Sequence, residues 1–475
     1  MDDGTQVAML SAAALVNLYR KGEVSPVQAA QAVLNQIEQH NEALNAFCFV
    51  DPEETLRQAA ASELRYQANS PISGVDGVPV GVKDIFLTAG WPTLRGSKLI
   101  DENQEWTEDA PTVAALRRNG AVLAGKTTTP ELGWKAITDS PRHGVTRNPW
   151  DLDKTPGGSS GGSAVSVAMG MGPLALGTDG GGSIRIPAAF TGISGIKPTY
   201  GRVPHWPVSP YGTLAHAGPI ARTIEDLALM LQAIAEPDPR DWLALPPEPE
   251  VRYLEAIGLL KSPLTIAFSP TLGFAHVDQE VYDAVTAAAE AFEAMGAVVE
   301  DVDPPMEDPV DQFHTLWNSG AAHATRQYSA EQRKQMDPAL QEIIEDGESY
   351  SAVDYVDAST RRGAFAVAMN QFFQDYDLLL TPAVGIPAFK AGEEVPEGWP
   401  HRRWTSWAPF AYTFNLTQQP AVSVPCGFTT SGLPIGLQIV GRKYEDVLVL
   451  AAAHAFQQAH PEYLRWPPMA GAHSA

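Results

Sequence analysis

Two glycine-serine loops and one lysine carry the chemistry that this sequence can offer. The first loop reads Thr155-Pro156-Gly157-Gly158-Ser159-Ser160-Gly161-Gly162-Ser163, and the second reads Gly177-Thr178-Asp179-Gly180-Gly181-Gly182-Ser183-Ile184-Arg185-Ile186-Pro187. Between them, the small apolar residues from Ala164 to Met171 predict a buried helix, and Pro173 to Leu176 predicts a short strand. Each serine therefore falls where a loop runs into a helix. No side chain obstructs the run Gly180-Gly181-Gly182, so backbone N–H groups up to Ser183 can converge on one point beside a helix start. An oxyanion hole needs that arrangement, and so does an anion-binding loop without chemistry. The glycines alone do not separate the two.

A serine hydroxyl becomes a nucleophile only beside a base, and the usual base is histidine. No histidine lies near either loop. Lysine serves when it is neutral, which requires a buried site to bring it down from its ordinary pKa of about 10.4. Lys83, within the apolar run Val78 to Leu87, is the candidate. An isolated lysine in such a place is ordinarily a snorkelling or salt-bridged side chain, here with Asp84 at hand. It gains meaning only through the two serine loops.

The elements that must position these residues alternate in type. Ser25 caps a helix with Pro26 in first position and Gln28 completing a capping box, and Val27, Ala30, Leu34 and Ile37 form its stripe. Val78, Val80 and Val82 alternate along a strand that ends near Lys83 and Asp84. Pro111 to Asn119 predicts a helix stopped by Gly120, with a strand over Ala121 to Ala124. Asp278 to Met295 predicts a helix ending at Gly296, with a strand over Ala297 to Val302. Ala421 to Phe428 and Leu433 to Val440 predict an antiparallel hairpin. The expected fold is α/β, a mixed, mostly parallel twisted sheet covered by helices on both faces. The Pro-rich stretch from Glu236 to Pro263 is a long connection, but nothing after it reads as an independent fold, and there is no internal repeat.

The composition, 44% hydrophobic and 19% charged over 475 residues, is that of a globular enzyme. A net charge of −24 repels phosphate backbones and anionic membranes, which excludes nucleic acid and lipid surfaces as expected partners. Cys48 and Cys426 are too few and too far apart for a disulfide framework or a thiolate metal site. No apolar run approaches the roughly 20 residues of a membrane span, and Met1-Asp2-Asp3-Gly4 lacks a basic leader, so a cytoplasmic location is expected.

Three motifs mislead. Gly120 to Thr127 matches a phosphate-binding loop letter for letter, but a helix precedes it and its interior Ala121-Val122-Leu123-Ala124 is strand-like. Gly157 to Gly161 fits a nucleophile elbow without the apolar strand that should precede it, and Ser194-Gly195-Ile196-Lys197 mimics a Ser-x-x-Lys motif without its companions.

Taken together, Gly81-Val82-Lys83-Asp84, Gly157 to Ser163 and Asp179 to Pro187 resemble the amidase signature family. Gly195 to Arg202, Gly218 to Thr223, Leu380-Thr381-Pro382 and Asn415 through Gly441 are similar to further family segments. The resemblance implies one domain over residues 1–475, with a signature core at about 75–225 and a variable substrate-recognition region at about 236–412. It implies Lys83 as base, Ser159 after a cis peptide as proton relay, and Ser183 as nucleophile. The N–H groups of Gly180, Gly181, Gly182 and Ser183 would form the oxyanion hole, with Asp179 and Arg185 paired in support. The implied reaction is hydrolysis of a carbon–nitrogen acyl bond through an acyl-enzyme, with no metal or organic cofactor. A glutaminase-type subunit of an aminoacyl-tRNA amidotransferase shares the family, but there Ile-Arg-Gln-Pro typically follows the nucleophile. Ile184-Arg185-Ile186-Pro187 favours a free-standing amidase, and the intact Lys-Ser-Ser set disfavours a non-catalytic binding protein.

Trp317, Trp404, Trp407 and Phe410 stand among many aromatic residues of the variable region and are candidates for a broad apolar pocket, although each singly is as readily a core residue. The substrates expected from them are neutral aryl or apolar amides rather than carboxylate-bearing ones. Esters and aryl carbamates (urethanes) join them because their oxyanions fit the same hole. A homodimer is compatible with the sequence.

Overall fold

The alternating valines before Lys83 form the strand expected of them, and that strand sits inside a wide sheet. The computed structural model describes residues 3–248, 251–260 and 263–471. In chain order its strands begin with β1 Phe47–Phe49, β2 Pro79–Lys83, β3 Val122–Thr127, β4 Asp139–Ser140, β5 Gly144–Val145, β6 Leu174–Asp179 and β7 Ser194–Lys197. They continue with β8 His216–Ala221, β9 Thr265–Phe268, β10 Val298–Asp301, β11 Leu378–Pro382, β12 Ala421–Phe428 and β13 Pro434–Gly441. The 11-stranded sheet runs β1-β3-β2-β6-β8-β7-β12-β13-β11-β9-β10, and β4 and β5 pair separately. It is mixed. Parallel pairing holds in two flanking groups, β3-β2-β6 and β11-β9-β10, and the strands from β6 through β8, β7, β12 and β13 to β11 pair antiparallel. Strands on both sides of the Pro-rich connection belong to this one sheet.

Side chains alternate between the two faces of the sheet, and each face has its own helices. Val80, Val82, Leu174 and Leu176 cluster with Leu227 and Leu231 of the helix Ile224–Ile234 and Leu450 and Phe456 of the helix Asp446–Ala459. Ala175 and Ile220 point the other way, into Ala164, Ala168, Ile184 and Ala188. Those alanines belong to the helices Gly161–Ala168 and Arg185–Thr191, which follow the two serine loops. Each fully buried Leu, Val or Ile contributes about 1.5–3 kcal/mol, so this packing fixes both helix starts relative to β2.

The misleading motifs are resolved by placement. Gly125-Lys126-Thr127 is strand rather than loop, and Lys126 is buried against Asp84 with Nζ at 3.2 Å from its carboxylate, so it cannot cradle a phosphate. Ser194 and Lys197 stand three apart on β7 and therefore project to opposite faces. Among the described residues no helix is long and apolar enough to cross a membrane.

Candidate active site

Lys83 ends β2 with a side chain that is completely buried. Its Nζ meets three hydroxyls: Ser159 Oγ at 2.6 Å, Thr178 Oγ1 at 2.7 Å and Ser160 Oγ at 2.9 Å. Burial holds Lys83 well below the ordinary lysine value, with the Asp179 charge working against that shift. A neutral amine has two N–H bonds and one lone pair, so one of the three hydroxyls must donate to it. Ser160 already directs its proton to the Thr178 carbonyl at 3.1 Å. The donor is then Thr178 or Ser159, and Ser159 is the nearer. A lysine in this state can draw a proton out of a hydroxyl chain.

Ser159 follows a cis peptide at Gly158–Ser159. The two serine loops are tied by one backbone bond, Ser160 N to Ser183 O at 3.1 Å. Ser159, Thr178, Gly180 and Ser183 open together on a cavity of about 520 Å³. Among the described residues, the N–H groups of Gly180, Gly181 and Ser183 meet no acceptor, nor does the Ser183 hydroxyl meet a partner. Three free amides beside an unpaired hydroxyl make a place where a carbonyl carbon can be attacked and its oxygen held.

Gly182 departs from the expected hole. Its N–H donates to Asp179 Oδ1 at 2.8 Å and is closed to any substrate. What Gly182 supplies is the backbone turn: it sits at φ 113°, and a Cβ there would stand 2.3 Å from that of Ala411. The carboxylate that takes this N–H is itself fixed by a wholly buried fork, Arg185 Nε and Nη2 to the two Asp179 oxygens at 3.0 and 2.9 Å. Burial alone would raise the Asp179 carboxyl, but Arg185, Lys197 and Asn415 together hold it well below the usual carboxylate range. Arg185 also donates to Gln438 Oε1 at 2.6 Å and Asn415 Oδ1 at 2.7 Å, so every charge-assisted bond needed to keep the pair buried is made.

The expected aromatic pocket is corrected at three of four positions. Trp317 lines the cavity, where Tyr211 stacks on it at 3.8 Å. Trp404 lies beneath the glycine loop instead: a Cβ on Gly181 would meet its Cη2 at 2.7 Å, and one on Gly180 would meet Trp317 Cζ3 at 2.8 Å. Trp407 is buried against Phe190 and gives its indole N–H to Glu394 O at 3.0 Å. Phe410 packs with Phe373, Leu379 and Phe414 in a separate cluster. The rings of Trp404 and Trp317 therefore act as a floor that keeps the loop flat, which their frequency in the sequence does not reveal. Sequence reasoning also misses Thr178 and Ser160 as partners of Lys83, and Asn415 and Gln438 as partners of Arg185.

Among the described residues one cluster has metal-ligand chemistry, Cys48, Asp84 and His143, with donor atoms within 4.8 Å of one another. The donors do not fit a cation. Lys126 already occupies Asp84, whose oxygens also accept from the amides of Leu94 and Arg95, and burial pushes the Cys48 thiol well up.

The amidase family matches residues 28–450. An acylamidase of Rhodococcus erythropolis is 36% identical over 458 residues, covering 95% of this chain and 96% of that protein. A glutamyl-tRNA(Gln) amidotransferase subunit of Cupriavidus taiwanensis is 35% identical, covering 94% of this chain and 96% of that protein. Among solved structures, a bacterial aryl acylamidase of the amidase signature family superimposes with a TM-score of 0.90 at 31% identity, over 97% of this chain and 99% of that one. A 6-aminohexanoate cyclic dimer hydrolase with bound substrate gives 0.89 at 27% identity, over 98% and 99%.

Proposed function

This chain belongs to the amidase signature family and hydrolyses carbon–nitrogen acyl bonds, and from that premise we propose that Ser183 is its nucleophile and that Ser159 and Lys83 take up the nucleophile's proton. The observation that carries this reading is the buried 2.6 Å contact between Lys83 Nζ and Ser159 Oγ, beside a cavity onto which Ser183 also opens. Ser159 passes its proton to neutral Lys83 as it accepts that of Ser183. The Ser183 oxygen attacks the carbonyl carbon, and the amides of Gly180, Gly181 and Ser183 hold the oxyanion. The relay returns the proton to the departing amine nitrogen, leaving an ester on Ser183. Water, deprotonated along the same route, then releases the acid and restores the hydroxyl.

A serine-directed fluorophosphonate or sulfonyl fluoride is expected to place one adduct, on Ser183. Mass mapping that finds it on Ser159, Ser160 or Ser163 would overturn the assignment.

The acylamidase and aryl acylamidase relatives support an amide with an aryl or apolar group beside the scissile bond, and Phe86, Tyr211 and Trp317 give the cavity a wall suited to one. Esters and aryl carbamates follow as further substrates, since their carbonyls meet the same groups. Exchanging the aryl group for methyl should lower kcat/KM at least about tenfold, because the buried apolar area lost is worth more than about 1.4 kcal/mol. Equal rates on acetamide and on an anilide of matched reactivity would remove the apolar-pocket reading.

A second reading, a glutaminase-type amidotransferase component, is favoured by the Cupriavidus taiwanensis relative, nearly as similar as the acylamidase. Hydrolysis of an anilide by the purified single chain, without tRNA or partner, decides for the free-standing enzyme.

A further inference from the structure

Arg95 lines the cavity onto which Ser159 and Ser183 open, and among the described residues its guanidinium has no partner. Its backbone is fixed on both sides: its N–H donates to Asp84 Oδ2 at 2.8 Å, and its carbonyl accepts from Leu132 N at 2.8 Å. The residue is held at φ 53°, which a non-glycine residue keeps only where its surroundings impose it. The guanidinium makes no hydrogen bond and no ion pair with any described residue, and its Nε is closed off from solvent without an acceptor. Asp84, the carboxylate that acts on it, is already engaged by Lys126 and by two backbone amides. Burial pushes Arg95 below the ordinary arginine value, with Asp84 and Tyr328 working against that.

The chain carries 56 acidic and 32 basic residues, yet the cavity is lined by Arg95, Arg326, His205 and His323 and by no aspartate or glutamate. Composition alone would have put carboxylates there. A buried donor without a partner costs stability, and such a group in a native site calls for an acceptor that the protein does not itself provide.

We propose, building on the amidase reading of this site, that Arg95 anchors a carboxylate carried by the substrate, so that the preferred substrates are aryl or apolar amides bearing an acid group away from the scissile bond. One guanidinium fork meets the two oxygens of one carboxylate and cancels one charge, which suits a monoanion better than a phosphate dianion. Phe86, Tyr211 and Trp317 face the apolar part of the same ligand. The expectation of neutral substrates rests on aromatic residues, most of which lie outside the cavity, and it gives way to this one.

Binding can be read without turnover. Benzoate is expected to bind the Ser183→Ala variant at least tenfold more tightly than benzamide by calorimetry. Adding Arg95→Met should erase the difference, and adding Arg95→Lys should keep part of it. Equal affinities in Ser183→Ala, or a benzoate preference that survives Arg95→Met, would overturn the proposal. With Ser183 present, kcat/KM for an anilide of 4-aminobenzoate should exceed that for the matching 4-aminobenzamide at least tenfold, mainly through KM. The ratio should approach one in Arg95→Met, and taking it within each variant cancels any loss of folded enzyme. Hydrolysis of the neutral anilide without a carboxylate preference sinks the role of Arg95 and leaves the amidase reading intact. Failure to hydrolyse any anilide sinks the amidase reading, and the benzoate titration still decides on Arg95.

Discussion

Ser183→Ala is expected to lower kcat by at least about 10⁴-fold while leaving the melting temperature close to that of the parent. The loss follows from removing the hydroxyl proposed to attack a carbonyl held by the free amides of Gly180, Gly181 and Ser183. The stability follows from what the hydroxyl does not do: it has no hydrogen-bond partner among the described residues, so its removal leaves no orphaned group. Ser183 is only 7% exposed, but the alanine Cβ fills the same position, and a change of this kind typically stays within about 1 kcal/mol. Turnover within tenfold of the parent, measured on the folded variant, would move the nucleophile elsewhere.

Lys83→Met and Ser159→Ala should each cost several orders of magnitude in kcat, and the double variant should cost little more than the worse single one, because members of a relay fail together. A double variant whose loss equals the product of the two single losses would mean that the residues act independently. Lys83→Met keeps the volume of the side chain but takes a buried partner from the Ser159 and Thr178 hydroxyls, so a fall in stability of about 1–3 kcal/mol is expected as well. The same lysine is expected to set the acid limb of the rate profile. The working form is neutral, so activity is present above the pKa of Lys83 and is lost as pH falls through it. Burial places that limb well below the ordinary lysine range. A kcat/KM that stays flat down to pH 5 would point to a base other than Lys83.

The placement of Lys83 and of both serines is legible in the sequence because local pattern fixes it. The alternation Val78, Val80, Val82 dictates a strand that delivers Lys83 at its end, and runs of glycine before a small-residue helix mark the two loops. The hairpin of β12 and β13 is legible for the same reason, its turn chemistry being local. What local pattern does not hold is contact across the sheet. Asn415 reaches Asp179 over 236 positions of chain, and Gln438 reaches Arg185 over 253. Trp404 reads as a pocket wall because an aromatic ring in a loop looks alike whether it faces a ligand or a neighbouring backbone. The assignment of Gly182 as an oxyanion donor fails for a subtler reason: its N–H is free in the sequence sense, and only the position of the Asp179 carboxylate shows that it is taken. Arg95 is unremarkable as a letter, and its meaning lies wholly in the counter-ion it lacks.

The hairpin β12–β13 occupies the gap between β7 and β11, although these two strands are the last of the sheet to leave the ribosome. Without them the strand order splits into two groups, β1-β3-β2-β6-β8-β7 and β11-β9-β10, each left with an open edge that a stray chain can pair with. Asn415 and Gln438 emerge in the same stretch, so the Arg185 that steadies the Ser183 loop waits for them too. The nascent polypeptide thus carries both serine loops through most of its elongation before the strands and side chains that complete their surroundings.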